Sequence, residues 1–326
     1  MHNKNWFLAI CTFFVTSLPS PVMAAAREGG ASQAVVPQAP SASTSTSTNQ
    51  TSYTRPVNIM TYNIHFGVGT DGAYDLTRIA NVIRHSHADI IGLQEVDVHY
   101  SDRSHFEDEI SLLATSLHMH YAFAPIYDFS PTTQGAHRRQ SGVAVISRYP
   151  IVKSYNHLQS RLSTEEANPV LRPMPGFLEA VVQVNQTPVT VYVAHLDYRD
   201  DSRVRVVQVC EMMSIISSRS VSTSASKSHG DRPDTVRPQS SDTQVLLGDF
   251  NAAPGQPELA PLYKHFQNAL VNCRKDCFTF PADKPLWQLD FVMVPSSAHV
   301  VRALVPNEPK ASDHRPVVTV VRFQKP

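Results

Sequence analysis

The chain has 326 residues and a balanced charge, with 28 basic and 28 acidic side chains. A protein that binds nucleic acid mainly through the phosphates of the nucleic acid usually carries an excess of basic residues, so this balance argues against non-specific nucleic-acid binding. The balance leaves open whether the chain recognises a single small phosphorylated molecule.

Residues 1–24 are predicted to be a secretory signal peptide. Lys4 precedes a short apolar run over 6–18, and Ala24 supplies a small residue at the cleavage site. A bilayer span takes about 20 apolar residues, so no stable transmembrane span is expected, and an uncleaved anchor is the alternative. The sequence therefore predicts an exported protein that is periplasmic or secreted.

Residues 25–56 are rich in Ala, Ser, Thr, Gln and Pro, and they are predicted to form a disordered tether. Such a composition cannot bury enough apolar surface to offset the entropy of ordering. The folded domain is predicted over 57–324. Within it, 218–243 is predicted to be a flexible Ser-rich loop because of its length and composition.

Apolar periodicity predicts helices over 75–85, 107–117 and 202–217, with a short helix near 260–270. Short apolar runs predict strands, which are 57–62, 90–93, 143–147, 178–184, 189–194, 244–247, 290–294 and 317–322. Many of these strands are apolar throughout, which is typical of strands that are buried on both faces. The predicted fold class is therefore a layered α/β sandwich.

Polar side chains stand at the ends of strand after strand. They are Asn63, Glu95, His195, Asp249, Asn251 and Asp290, while Asp313 and His314 precede the last strand. In α/β sheets, ligands bind in the crevice at the carboxyl ends of the strands. Asp249 and Asn251 are two residues apart, so in extended chain they point the same way. This pattern indicates a polar site suited to hydrolysis, and to metal-assisted hydrolysis in particular.

Each of these residues also has a purely structural interpretation. Asn63 and Asp313 can cap turns, Glu95 can be a solvated strand end, and His195 can be a satisfied core histidine. Asp249 and Asn251 can form a turn, because both residue types favour such positions. Asp290 is the hardest to explain in this way, since a carboxylate between Leu289 and Phe291 needs a partner.

Five short motifs follow one another in order between residues 58 and 320. They are Thr61–Ile64, Leu93–Val96, Ala194–Leu196, Gly248–Asn251 and Ser312–Pro316. The set resembles the endonuclease/exonuclease/phosphatase superfamily, and within it the branch of exported bacterial metal-dependent hydrolases. The resemblance implies a four-layer α/β/β/α sandwich of the DNase I-like type and metal-dependent cleavage of a phosphoester.

The same resemblance implies a Mg²⁺ or Mn²⁺ cofactor and a set of ligands for it. Glu95 would be the central ligand, with Asn63 beside it and Asp313 contributing from the far side, directly or through water. Carboxylate and amide oxygens are the hard donors that these ions prefer. His65 is the other histidine expected near the metal.

Catalytic roles are implied for five more residues. Asp249 would deprotonate the attacking water, and Asn251 would contact the phosphoryl oxygen or the nucleophile. His314 would stabilise the charge that develops on the phosphoryl group, and Asp290 would orient the His314 ring. His195 would make another phosphate contact.

Substrate contacts are assigned to Arg139, Asp197 and Arg199, although a solvated loop explains Arg139 equally well. The expected substrate is a phosphoester in a nucleic acid, a phospholipid or a small phosphodiester, and the protein is expected to be a monomer. A secreted effector or binding module with little or no catalysis is the alternative. Cys273 and Cys277 either form a disulfide or remain free thiols.

Overall fold

The computed structural model describes residues 52–225, 243–273 and 275–325. The predicted signal peptide and the predicted tether up to residue 51 lie outside these ranges, as do residues 226–242 of the predicted Ser-rich loop. Within the described residues, no helix has the length and apolar character needed to cross a membrane.

The described residues form two six-stranded sheets. The first has the order β11-β12-β1-β2-β4-β3, with β1 Val57–Asn63, β2 Ile90–Val98, β3 His120–Phe129, β4 Arg139–Ser147, β11 His299–Leu304 and β12 Val317–Arg322. The second has the order β5-β6-β7-β8-β10-β9, with β5 Ile151–Arg161, β6 Arg172–Val184, β7 Thr187–His195, β8 Thr243–Asp249, β9 Phe266–Asn268 and β10 Asp290–Pro295. The pairs β1–β2 and β7–β8 are parallel, and the other pairs are antiparallel.

The two sheets pack face to face over a core of aliphatic side chains. Ile59 and Val145 come from the first sheet, and Val193 and Leu247 come from the second. Gly92 lies at a close approach of the two sheets, since a Cβ atom there would be 2.9 Å from Cβ of Leu247. Apolar burial between the sheets therefore fixes their distance as well as their orientation.

Three helices cover the outer faces of the sheets. α1 Leu76–Ser86 and α2 Glu109–Leu117 pack on the first sheet, and α3 Arg203–Ala225 packs on the second. The Asp75 and Asp108 carboxylates accept N–H groups in the first turns of α1 and α2, which stabilises these helix ends. The predicted four-layer α/β/β/α sandwich is confirmed.

The helix predicted near 260–270 is wrong. This segment contains 3₁₀ turns at Pro257–Leu259 and Leu262–Lys264, followed by β9. Pro257 and Pro261 lack the backbone N–H groups that a continuous helix needs. The apolar side chains that suggested a helix still face the core, because Leu259, Leu262 and Phe266 are buried there.

The structure also differs from the prediction in the length of α3 and in the strands at the sheet edges. α3 ends at Ala225, so the first part of the segment 218–243, which composition assigned to a loop, is helical. The strands β3, β5, β9 and β11 were not predicted, and all four stand at sheet edges. β5 carries mostly exposed side chains, so it lacks the apolar run that marks a buried strand.

Cys273 and Cys277 are joined by a disulfide. The bond resolves the alternative between a pair and two free thiols. It closes a small loop in the segment that connects β9 to β10.

Candidate active site

Strand register brings the predicted site residues together from both sheets. In the first sheet Asn63 lies beside Gln94, next to Glu95. In the second sheet Asp249 is the direct partner of both His195 on β7 and Asp290 on β10. The site therefore forms where β1, β7 and β8 end, where β10 begins, and at Glu95 within β2, which continues to Val98.

Glu95 reaches the site through an irregularity in β2. The pairing of β2 with β4 shifts register between Leu93 and Val96, and Glu95 has a left-handed backbone with φ 56°. Such bulges redirect a side chain without ending the strand. A left-handed conformation is costly for a residue with a Cβ, so the surrounding strands must hold it in place.

Asn63 links the carboxylates of the two sheets. Its amide nitrogen donates to Oε1 of Glu95 at 2.9 Å and to Oδ2 of Asp249 at 3.1 Å. Its side-chain oxygen accepts the His65 N–H at 3.1 Å, and its carbonyl accepts the Ser312 hydroxyl at 2.8 Å. Asn63 therefore holds Glu95 and Asp249 at a fixed separation inside the protein.

His314 lies between two carboxylates of the second sheet. Its Nδ1 is 2.8 Å from Oδ2 of Asp290, and its Nε2 is 3.6 Å from Oδ2 of Asp249. Burial alone would lower the pKa of His314, but Asp290 and Asp249 outweigh it and raise that pKa to about 10. The ring is therefore an imidazolium at neutral pH, and it packs 4.7 Å from the Phe280 ring.

His195 faces the same carboxylates from β7. Its Nε2 is 3.6 Å from Oδ2 of Asp249 and 3.9 Å from Oε1 of Glu95. Burial lowers its pKa below the ordinary value, against the attraction of Asp249. The two histidines thus differ in charge, with His314 cationic and His195 neutral at neutral pH.

Burial acts on the pKa values of two carboxylates of the site. Burial raises the pKa values of Glu95 and Asp249, although Asn63 counteracts it for Glu95 and His314 counteracts it for Asp249. Among the described residues, Oδ1 of buried Asp290 has no hydrogen-bond partner. Such a set of oxygen donors suits a hard divalent cation.

Two groupings of these donors can hold a cation. The side-chain ligand atoms of Asp249, Asp290 and His314 lie within 4.8 Å of one another. The alternative is the predicted set of Glu95, Asn63 and Asp313. The Asp313 side chain is 34% exposed, with its Oδ1 3.8 Å from Nδ1 of His65.

Asn251 extends the site beyond Asp249. Its backbone is left-handed with φ 48°, and its N–H donates to Oδ1 of Asp249 at 2.9 Å. Its amide nitrogen donates to the Leu196 carbonyl at 3.0 Å. One hydrogen of that amide remains for a ligand, which leaves the predicted phosphoryl contact open.

A cavity of about 230 Å³ opens onto these side chains. Glu95, His195, Asp249, Asn251 and His314 line it, together with Asp197 from the predicted substrate contacts. Asp197 is buried and paired with Arg199, and the Arg199 guanidinium also donates to the Ser163 carbonyl.

Arg139 and Arg199 are not among the residues that line this cavity. Arg139 lines a neighbouring cavity of about 570 Å³, and its guanidinium lies 5.6 Å from the centre of the Phe129 ring. The structure therefore places Arg139 outside the cavity that Asp249 and His314 line.

Two arginines that line the cavity were missed by the sequence reasoning. Arg103 donates twice to the buried Asp97 carboxylate and lies 3.3 Å over the Phe66 ring. Arg161 is buried at the end of β5. No local pattern marks either residue, because their positions depend on contacts with distant parts of the chain.

Comparisons with known proteins identify the family of the chain. The model of the endonuclease/exonuclease/phosphatase family matches residues 60–314. None of the curated proteins matches the chain. Members of the matched family are phosphoesterases, which include nucleases and phosphatases and generally use a divalent metal ion.

Solved structures show the same fold at low sequence identity. An endonuclease/exonuclease/phosphatase protein from Beutenbergia cavernae DSM 12333 is 22% identical, with a TM-score of 0.57 over 83% of this chain and 72% of its own. The mannosyl-6-phosphatase of Bacteroides thetaiotaomicron VPI-5482 is 17% identical, with a TM-score of 0.57 over 82% of this chain and 100% of its own. The human Nocturnin catalytic domain with bound sulfate is also 17% identical, with a TM-score of 0.57 over 84% of this chain and 98% of its own.

The family match spans most of the chain and includes the strand ends that meet in the cavity. The fold of the solved structures agrees with it, in two mixed sheets covered by few helices. This chain therefore belongs to the endonuclease/exonuclease/phosphatase family.

Proposed function

We propose that this protein is a Mg²⁺- or Mn²⁺-dependent hydrolase of phosphoesters. The observation that carries the proposal is the buried pair of His314 and Asp290, which faces the Asp249 carboxylate across 3.6 Å. The Asn63 amide donates to both Glu95 and Asp249, so it connects Glu95 to this group. A cation-binding carboxylate, a general base and an imidazolium thus surround one cavity, which is what phosphoester hydrolysis needs.

Asp249 is the proposed general base for the attacking water. Its Oδ1 accepts the Asn251 N–H and its Oδ2 accepts the Asn63 amide, so the carboxylate has one orientation. Burial raises its pKa from the ordinary range, and a stronger base removes a proton from water more readily.

His314 is the proposed charge stabiliser. Its Nδ1 faces Asp290, so its Nε2–H points toward the side of Asp249 and the cavity. An imidazolium held there by a buried carboxylate is in place before negative charge develops on the phosphoryl oxygens, and no reorganisation is needed. His195 and the second amide hydrogen of Asn251 would make further phosphoryl contacts.

The donors present fit a divalent cation, since carboxylate and amide oxygens are the hard donors that such an ion prefers. Glu95 and Asp313 would hold the ion, with Asn63 beside them. A bound ion would act as a Lewis acid on the phosphoryl oxygens and orient the reacting groups. We favour this set over Asp249, Asp290 and His314, because an ion there would compete with the 2.8 Å contact of His314 and Asp290.

We also propose that the protein is exported and acts in the periplasm or outside the cell. The predicted signal peptide supports this, as does the disulfide of Cys273 and Cys277, since disulfides persist in oxidising compartments. The substrate would be a phosphoester in a nucleic acid, a phospholipid or a small phosphodiester.

A panel of substrates tests this function. Plasmid DNA, abasic oligonucleotide, RNA, sphingomyelin, phosphoinositides, inositol phosphates and bis-p-nitrophenyl phosphate would be incubated with the protein and Mg²⁺ or Mn²⁺. We expect hydrolysis of at least one, loss of activity with EDTA, and loss in Asp249→Asn. Full activity in Asp249→Asn would contradict the mechanism, and no hydrolysis of any substrate would favour a binding module.

A further inference from the structure

Arg161 is a buried cation without an anionic partner. The residue is 8% exposed, and among the described residues it takes part in no ion pair. Its guanidinium donates only to neutral oxygens, which are the carbonyls of His195 and Gly176 and the side chain of Gln159. Burial lowers its pKa to about 10, so the group remains charged at neutral pH.

Some N–H donors of the Arg161 guanidinium make no hydrogen bond among the described residues. A guanidinium has five N–H donors, and only three hydrogen bonds are made here. Its Nε is buried and has no acceptor among the described residues. Burying a charge without a counterion is unfavourable, so an anion that reaches this side chain would be attracted to it.

Asp197 and Glu211 attract the Arg161 charge, but neither forms an ion pair with it and each is engaged by other groups. Asp197 is paired with Arg199. Glu211 accepts both the N–H and the hydroxyl of Ser160. The positive charge of Arg161 is therefore still available to a ligand in the cavity that it lines.

Arg161 stands apart from the proposed reaction centre. Its Nη1 is 2.8 Å from the His195 carbonyl, whereas the His195 ring points to Asp249 and Glu95. Residue 195 thus separates the guanidinium from the carboxylates, while Arg161, His195 and Asp249 all line one cavity. An anion at Arg161 is consequently a different group from a phosphoryl group at Asp249 and His314.

We propose that Arg161 binds a second anionic group of the substrate, a carboxylate or a further phosphate, beside the phosphoryl group that is cleaved. This inference rests on the proposed function, because it takes the centre at Asp249 and His314 as the phosphoryl site. The protein would then select substrates that carry two anionic groups at a fixed separation.

Phosphonates that cannot be hydrolysed provide the test. Calorimetric titration with Mg²⁺ present would compare plain alkylphosphonates with those ending in a carboxylate or a second phosphonate, over increasing chain lengths. We expect the second anion to improve Kd by about tenfold or more at one length. We expect Arg161→Gln to abolish that gain, which is the ratio of the two affinities measured within the same variant.

Two further variants control for charge and structure. Arg203→Gln removes an arginine that is 90% exposed and paired with Asp201, and the gain should persist. Arg161→Lys keeps the charge and should keep a reduced gain. If Arg161→Gln folds and still shows the full gain, another cation binds the second anion and the proposal is overturned.

The outcomes separate this inference from the proposed function. If plain alkylphosphonates do not bind, the phosphoryl site itself is wrong. If they bind and a second anion brings no gain at any length in the unaltered protein, only the role of Arg161 is wrong. This last comparison needs no variant, so the role of Arg161 can be refuted even if Arg161→Gln does not fold.

Discussion

Oδ2 of Asp290 lies 2.8 Å from Nδ1 of His314, although the residues are 24 positions apart. Asp290 begins β10, and His314 lies in the segment that precedes β12. Both residues are buried, with 0% of Asp290 and 5% of His314 exposed. The contact fixes the orientation of the ring and contributes to raising the His314 pKa to about 10, against the effect of burial. The charge of His314 at neutral pH is thus a property of the pair.

We expect Asp290→Asn to reduce kcat by about 10²–10⁴-fold while the fold is kept. The protonated ring is the active form, so activity in the unaltered protein should fall as pH rises through about 10. Without the Asp290 charge the His314 pKa is lower, and the same fall should occur at lower pH. A pH–rate profile with circular dichroism checks both, and an unchanged alkaline limb would contradict the pairing.

Metal titrations should distinguish the two candidate cation sites. We expect Glu95→Gln to weaken Mn²⁺ binding by more than about tenfold, because it removes the charge of the proposed central ligand. Asp290→Asn should leave the affinity within a few-fold. Isothermal titration of each variant is the measurement, and the reverse order would place the ion among Asp249, Asp290 and His314 instead.

Arg103→Gln should destabilise the protein. It leaves the Asp97 carboxylate, which is 0% exposed, without its bidentate partner. We expect a loss of about 2–3 kcal/mol, less than for a fully buried pair because the Arg103 side chain is partly exposed. Arg138→Gln breaks the exposed pair with Asp128 and should cost less than about 1 kcal/mol in the same urea titrations. Equal losses in the two variants would refute this account.

Glu109→Gln should change how stability depends on pH. Glu109 is fully buried, and burial raises its pKa well above the ordinary 4.5, although the Asp97 N–H counteracts this. The folded state therefore keeps this proton to higher pH than the unfolded state, so the group stabilises the fold below pH 4.5 and this contribution is lost as pH rises toward the raised pKa.

Glutamine removes this titration, so the stability of Glu109→Gln relative to the unaltered protein should improve as pH rises. Urea unfolding at about pH 5 and about pH 8 measures the change. A stability difference that stays constant between these pH values would show that Glu109 is ionised in the folded protein.

Much of the fold followed from local patterns. The apolar runs at β1, β7, β8, β10 and β12 are buried on both faces, and a strand of that kind can be identified without its neighbours. The edge strands β3 and β5 were missed because half-exposed strands lack such runs. The false helix near 260–270 arose because apolar spacing alone cannot show how prolines interrupt a segment that still faces the core.

The sequence by itself determined which side chains stand at the strand ends, and through their order it indicated the family. Only the tertiary structure decided how they meet, since the pairing of Asp249 with Asp290 and the bulge that turns Glu95 inward depend on register between distant strands. Burial and charge compensation are likewise set by the whole fold. For that reason the unpaired charge of Arg161 emerged only when its surroundings were known.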